Sequence, residues 1–261
     1  MYLDSHLHLT NLKDPVTIDS FMAEAMHRLV SPFFCNSALP EDWELLSGLA
    51  GRHESIFPFY GVHPWYAHTV DHQVAGTLKI YLADVPSGIG EIGLDRSPRA
   101  GAYYERQKSI FALQLDIATE LHKPFVLHCV RAWGDILDIL RARDFGGVPF
   151  MVHGFQGSVE VARALLDLGA YVSFSPRAIT NDSSVTRMNI CFVPNDRILI
   201  ETDNTFNDNG KSCIDEYFVC LTEAYRIIAE IKGISLDTLK KAVNKNGSIF
   251  ANATYARKRE A

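Results

Sequence analysis

Eight short apolar segments, each followed by a stretch of helical character, constrain this chain more than any other feature. They are Tyr2–Asp4, Pro32–Asn36, Ile56–Gly61, Gly88–Glu91, Pro124–His128, Pro149–His153, Tyr171–Phe174 and Arg197–Glu201. All are largely apolar on both faces, as strands buried in a parallel sheet are. Helical patterning fills the intervals over about Thr17–Val30, Glu41–Arg52, Gln73–Asp84, Ala102–Leu121, Ala132–Arg143 and Ser158–Leu168. It is clearest over Ala102–Leu121, where Tyr104, Phe111, Leu115 and Ala118 share one side. The polar segment after the seventh run has room for only a short helix near Ser183–Cys191. Two helices, Asp215–Lys232 and Ser235–Phe250, close the chain on either side of Gly233. Strict alternation implies a parallel sheet with right-handed crossovers. Eight repeats favour an α/β fold closed into a (β/α)8 TIM barrel over an open, doubly wound sheet. At 261 residues the chain has the length of one such barrel, usually ~250 residues. No linker or low-complexity tract divides it, so residues 1–261 read as a single domain.

Composition removes several classes of function. The net charge is −6, from 25 Lys+Arg against 31 Asp+Glu, which argues against coating nucleic acid by bulk electrostatics. No apolar run approaches the ~18 residues of a membrane span. Met1–His6 has neither the basic nor the apolar region of a secretory signal, so the expected setting is soluble and cytoplasmic, with no membrane partner. Five scattered cysteines without a C-x-x-C suggest reduced, mostly buried thiols in place of a disulfide framework or zinc ribbon. Cys129 has no Cys/His/Asn arrangement around it in sequence and reads as packing, not as a nucleophile. The basic Arg257-Lys258-Arg259 reads as a solvated, frayed end.

The chemistry lies where ionisable residues meet the strand ends. His6 and His8 form an H-x-H after the first run, Glu91 ends the fourth, His128 the fifth and His153 the sixth, and Asp203 follows the eighth. In a barrel all of these open onto one face. Alternate positions of an extended segment point the same way, so both imidazoles of H-x-H can reach one ion. Imidazole and carboxylate without thiolate suit one or two divalent ions of Zn, Mn, Fe, Ni or Mg. Six ligands are too many for a single catalytic ion that must keep an open position. A two-ion site bridged by Glu91 is the better reading, with Asp203 accepting a proton from the activated water.

These segments resemble the TatD family of metal-dependent hydrolases within the amidohydrolase superfamily. The resemblance rests on Asp4-Ser5-His6-Leu7-His8-Leu9, Gly61-Val62-His63-Pro64, Gly90-Glu91-Ile92-Gly93-Leu94-Asp95, Lys123-Pro124 through His128, His153-Gly154-Phe155-Gln156-Gly157-Ser158 and Ile200-Glu201-Thr202-Asp203, in family order across residues 4–203. It implies that His6, His8, Glu91, His128, His153 and Asp203 are the metal ligands, with Glu91 and Asp203 also catalytic. It implies substrate or phosphate contacts for His63 and Arg131. Two departures stand out. Arg131 in His128-Cys129-Val130-Arg131-Ala132 is displaced by one residue from the family's His-x-Arg-x-Ala. Asn204-Thr205-Phe206 replaces the usual Ala-Pro after Asp203.

Three functions compete on this basis. One is a deoxyribonuclease hydrolysing phosphodiesters at DNA ends or in a small phosphate-containing substrate. The second is a hydrolase of a small amide, ester or lactone, and the third is a barrel without turnover. The intact ligand set disfavours the third, and the family resemblance favours the first.

Overall fold

A computed structural model of the protein describes residues 1–83, 85–180, 184–206 and 211–256. Eight strands form one sheet in sequence order: β1 (Tyr2–Leu7), β2 (Val30–Asn36), β3 (Ile56–Tyr60), β4 (Gly88–Asp95), β5 (Phe125–Val130), β6 (Phe150–Val152), β7 (Tyr171–Phe174) and β8 (Ile198–Ile200). Every neighbouring pair is parallel. The connecting helices are α1 (Pro15–His27), α2 (Trp43–Arg52), α3 (Val74–Leu82), α4 (Tyr104–Glu120), α5 (Trp133–Arg141), α6 (Val159–Asp167), α7 (Pro176–Thr180) and α8 (Ser184–Phe192), followed by α9 (Lys211–Lys232) and α10 (Leu236–Ala256). The expected (β/α)8 barrel is therefore present.

The ring closes just past β8. Asp203 N–H donates to His6 O at 2.9 Å, and His8 N–H donates to Asn204 O at 3.0 Å. A buried carboxylate straps the same seam. Asp4 Oδ1 accepts from the backbone N–H of His6 (3.1 Å) and Thr202 (3.0 Å), while Oδ2 accepts from the hydroxyls of Thr202 (2.6 Å) and Tyr217 (2.8 Å) on α9. At the other end α10 crosses the strand beginnings. Phe250 packs on Phe34, Phe59 and Tyr171, rings from β2, β3 and β7. Asn246 Nδ2 donates to the carbonyls of Asn195 and Ile198.

Several boundaries differ from the sequence reading, for one recurrent reason. A polar residue looks like the end of an apolar run, yet β1 continues through His6 to Leu7, β4 through Glu91 to Asp95, and β5 through His128 to Val130. Partners on neighbouring strands make those polar residues tolerable inside the sheet. The first helix stops at His27, and Val30 opens β2. In α4, Phe111, Leu115 and Ala118 face the core, but so do Gln107 and Gln114, whose side-chain amides bond backbone groups of β4 and of Val62. After β7 there are two helices where one was expected, α7 preceding α8. The final helix runs past Phe250 to Ala256. Asp84, Ser183 and Arg257-Lys258-Arg259 lie outside the described residues. Among the four described thiols most are not buried: Cys35 is, Cys129 is partly so, and Cys191 and Cys220 are exposed on helices. No described helix is long and apolar enough to cross a membrane.

Candidate metal centre

The ligand-bearing strands are irregular where the ligands sit. Strand β1 slips register against β2 between Tyr2 and Asp4 and again between Asp4 and Leu7, flanking His6. Strand β4 slips against β5 between Ile89 and Ile92, around Glu91. Such bulges re-aim side chains beside functional sites. Gly93 pairs with His128 at φ +148°, and a Cβ there would collide with the His128 carbonyl oxygen. Only glycine lets β4 lie this close to the histidine.

The Glu91 carboxylate is the hub of the mouth. Its Oε2 lies 3.2 Å from His6 Nε2 and 3.3 Å from His8 Nε2. Its Oε1 lies 2.7 Å from both His128 Nδ1 and His153 Nε2, and 3.4 Å from His63 Nε2. Two groups of imidazoles therefore share one carboxylate, an oxygen each. Asp203 flanks the first group, with Oδ1 3.9 Å from His6 Nε2 and its side chain 39% exposed. Burial alone would raise the Glu91 pKa, but the surrounding imidazoles of His153, His63, His6 and His128 hold it well below the ordinary range.

Hydrogen bonds behind the rings determine which nitrogen faces the mouth. His128 Nε2–H donates to Asp95 Oδ2 (3.3 Å), His153 Nδ1–H to Glu201 Oε1 (3.3 Å), and His8 Nδ1–H to the Asn36 carbonyl (2.9 Å). In the neutral form of each ring this presents His128 Nδ1, His153 Nε2 and His8 Nε2 as lone pairs. Outer-shell acceptors orient metal-binding histidines in this way. His128 Nδ1 and His153 Nε2 stand only 3.1 Å apart, both against Glu91 Oε1. His6 Nε2 and His8 Nε2 are 3.2 Å apart against Oε2. Lone pairs so close to one another and to a carboxylate require positive charge among them. Burial lowers the His153 pKa, yet the charges of Glu91 and Glu201 outweigh it and raise it well above the usual imidazole value. Two buried polar atoms of the same cluster, His6 Nδ1 and Glu201 Oε2, have no hydrogen-bond partner. A divalent cation fits this donor set of imidazoles and carboxylates. Three groupings among the described residues could hold one: His6, His8 and Asp203; His63, Glu91 and His128; and His6, His153 and Glu201.

The structure thus brings His6, His8, Glu91, His128, His153, Asp203 and His63 into one mouth. His63 Nδ1 accepts from the Trp65 backbone N–H (3.1 Å), which makes Nε2–H its donor, facing Glu91 Oε1 (3.4 Å) and His128 Nδ1 (3.3 Å). Burial keeps this imidazole neutral, its pKa lowered to about 4. Arg131 is exposed at the β5–α5 junction, at φ +55°, and no hydrogen bond or ion pair joins it to the other described site residues. Cys129 neighbours the site, but burial pushes its thiol up to about 12, which removes the thiolate a nucleophile needs.

Sequence reasoning assigned no role to Asp95, Glu201, Asp4 or Trp65. Asp95 accepts from Trp65 Nε1–H (2.6 Å) and Ser97 N–H (2.6 Å) as well as from His128. Glu201 accepts from Gly154 N–H (2.7 Å) besides His153. The available signal was that each of these carboxylates lies in the same motif as a ligand.

A parallel barrel with imidazoles and carboxylates paired across its C-terminal mouth defines a metal-dependent hydrolase of the (β/α)8 class. The chain belongs to the TatD-related DNase family, whose pattern matches residues 3–250. It is similar to the uncharacterized metal-dependent hydrolase YabD of Bacillus subtilis, at 27% identity over 94% of this chain and 97% of that protein. It is also similar to the uncharacterized metal-dependent hydrolase YcfH of Escherichia coli K12, at 29% identity over 94% and 93%. The crystal structure of YJJV, a TatD homologue from E. coli K12, shares the fold with a TM-score of 0.81 at 22% identity, covering 95% of this chain and 97% of that one.

Proposed function

We propose that the protein hydrolyses phosphodiester bonds at DNA ends, using one or two divalent metal ions held at the barrel mouth. The observation that carries this reading is the Glu91 carboxylate, each oxygen of which faces its own imidazole pair. Two neighbouring cation positions joined by one carboxylate suit a displacement in which both attacking and leaving oxygens need stabilising. His6, His8 and Asp203 would hold one ion, His128 and His153 the other, and Glu91 both. When bound, the ions supply Lewis-acid charge and a lowered pKa for water.

The remaining chemistry belongs to the chain. Asp203, the most solvent-accessible carboxylate of the set, accepts the proton of the attacking water at Oδ1. His63 presents Nε2–H to a non-bridging phosphate oxygen while its Nδ1 is anchored on Trp65 N–H. Asp95 and Glu201 keep His128 and His153 in their ligating tautomers. The TatD-related DNase family name supports DNA as substrate. The unpaired Cys35, Cys129, Cys191 and Cys220 suit a reducing, cytoplasmic setting.

One observation favours the second reading, a hydrolase of a small ester, amide or lactone. Arg131 makes no hydrogen bond or ion pair with the described ligands, and Phe206 turns inward onto Phe21 and Tyr217, so residues 204–206 after Asp203 offer no cation to a long polyanion. The deciding assay offers metal-reconstituted protein single-stranded DNA and a panel of small esters and lactones, with and without EDTA. Release of nucleotides that EDTA abolishes supports the phosphodiesterase. Faster turnover of a small ester or lactone than of any oligonucleotide replaces it with the second reading.

A further inference from the structure

The segment between β4 and α4 carries two arginines that the structure treats differently. The Arg96 guanidinium lies over the Tyr104 ring at 4.3 Å, and its Nη2 donates to Asp135 Oδ2 at 2.6 Å. Its charge is neutralised within the protein. The Arg99 guanidinium lies over the Trp65 ring at 3.6 Å, and no carboxylate of the described residues pairs with it. The ring beneath is anchored on two sides. Trp65 Nε1–H donates to Asp95 Oδ2, its backbone N–H donates to His63 Nδ1, and its ring meets His63 edge-on with centroids 4.8 Å apart. An unneutralised cation therefore stands one aromatic ring away from His63, on the rim of the mouth.

A guanidinium stacked by its face keeps its N–H edges free in its own plane, and those edges match two oxygens of a phosphate. Because Trp65 is anchored by these bonds, Arg99 rests on a positioned ring before any ligand arrives, which reduces the ordering cost of binding. In a protein of net charge −6, an exposed and unpaired cation beside the reactive centre is a local focus for anions. We propose that Arg99, stacked on Trp65, is a binding subsite for a second phosphate of the substrate, next to the one cleaved at the metal centre. This rests on the phosphodiester reading above. His63 and the ions take the scissile phosphate, and Arg99 takes its neighbour. The pair thus selects chains with at least two phosphates over simple phosphate esters.

The test uses metal-loaded protein and two cleavage-resistant probes, phosphorothioate-linked dithymidylate with one phosphate and trithymidylate with two, titrated by calorimetry. The wild-type protein should bind trithymidylate about tenfold more tightly, the worth of one charge-assisted contact. Arg99→Gln should bring that ratio close to one while keeping the affinity for dithymidylate. Arg99→Lys, with charge but no planar fork, should keep only part of it. Equal affinities in the wild type, undetectable binding of both probes, or an undiminished ratio in Arg99→Gln would overturn the subsite. Hydrolysis of ordinary dithymidylate is measured separately and decides the phosphodiesterase itself. Cleavage without a trithymidylate advantage removes only the subsite. An advantage that Arg99→Gln abolishes, without cleavage, removes only the nuclease.

Discussion

The two ends of this barrel are built from the same strands by opposite means. At the N-terminal end α10 lays Phe250 among Phe34, Phe59 and Tyr171, and the contacts are mainly buried apolar rings, with Asn246 bonded to the carbonyls of Asn195 and Ile198. At the C-terminal end His6, His8, Glu91, His128 and His153 are also buried. They are held there by facing charge and by carboxylates behind the rings. Burial of this kind is unfavourable unless each group is paired or ligated. The contrast separates the tasks: stability is concentrated where packing is apolar, and function where polar groups are confined at a cost in stability.

Substitutions at the two ends test that division. The largest effect is expected from Glu91→Gln, which removes the charge both imidazole groups share. Bound metal, read by elemental analysis after reconstitution, should fall to background, and turnover should drop by ~10⁴-fold or more, beyond the worth of one general base. Metal retained at full occupancy would show that the imidazoles hold it without the carboxylate. Asp203→Asn should lower kcat by about 10²–10⁴-fold. Its exposed side chain should leave Tm almost unmoved, and activity within a few-fold of wild type would assign water activation to another group.

Phe250→Ala at the opposite end should reverse the pattern. An emptied aromatic site in a packed core costs about 3–5 kcal/mol, visible as a lower denaturant midpoint, while kcat per folded molecule stays unchanged. A fall in kcat without a fall in stability would mean the ends are coupled. The smallest effect is expected from Cys129→Ser. Its thiol remains protonated at neutral pH, so kcat should stay within a few-fold; a loss approaching that of Asp203→Asn would place the sulfur in the chemistry.

Sequence alone determined the number and order of the strands, their parallel alternation with helices and the identity of the ligand-type residues. Apolar runs and helical periodicity are local properties, written within a few residues of one another. The motifs from Asp4 to Asp203 were equally legible because each is contiguous. Tertiary structure decided where those strands end, how the ligands are aimed and what stands behind them. His6, Glu91 and His128 lie inside strands, because partners across the barrel satisfy them and because register slips in β1 and β4 turn them toward the mouth. Asp4 straps Thr202 from 198 positions away, and Asp95 sets the His128 tautomer across 33. A side chain's direction depends on register, bulges and remote partners, and none of these is carried by its sequence neighbours.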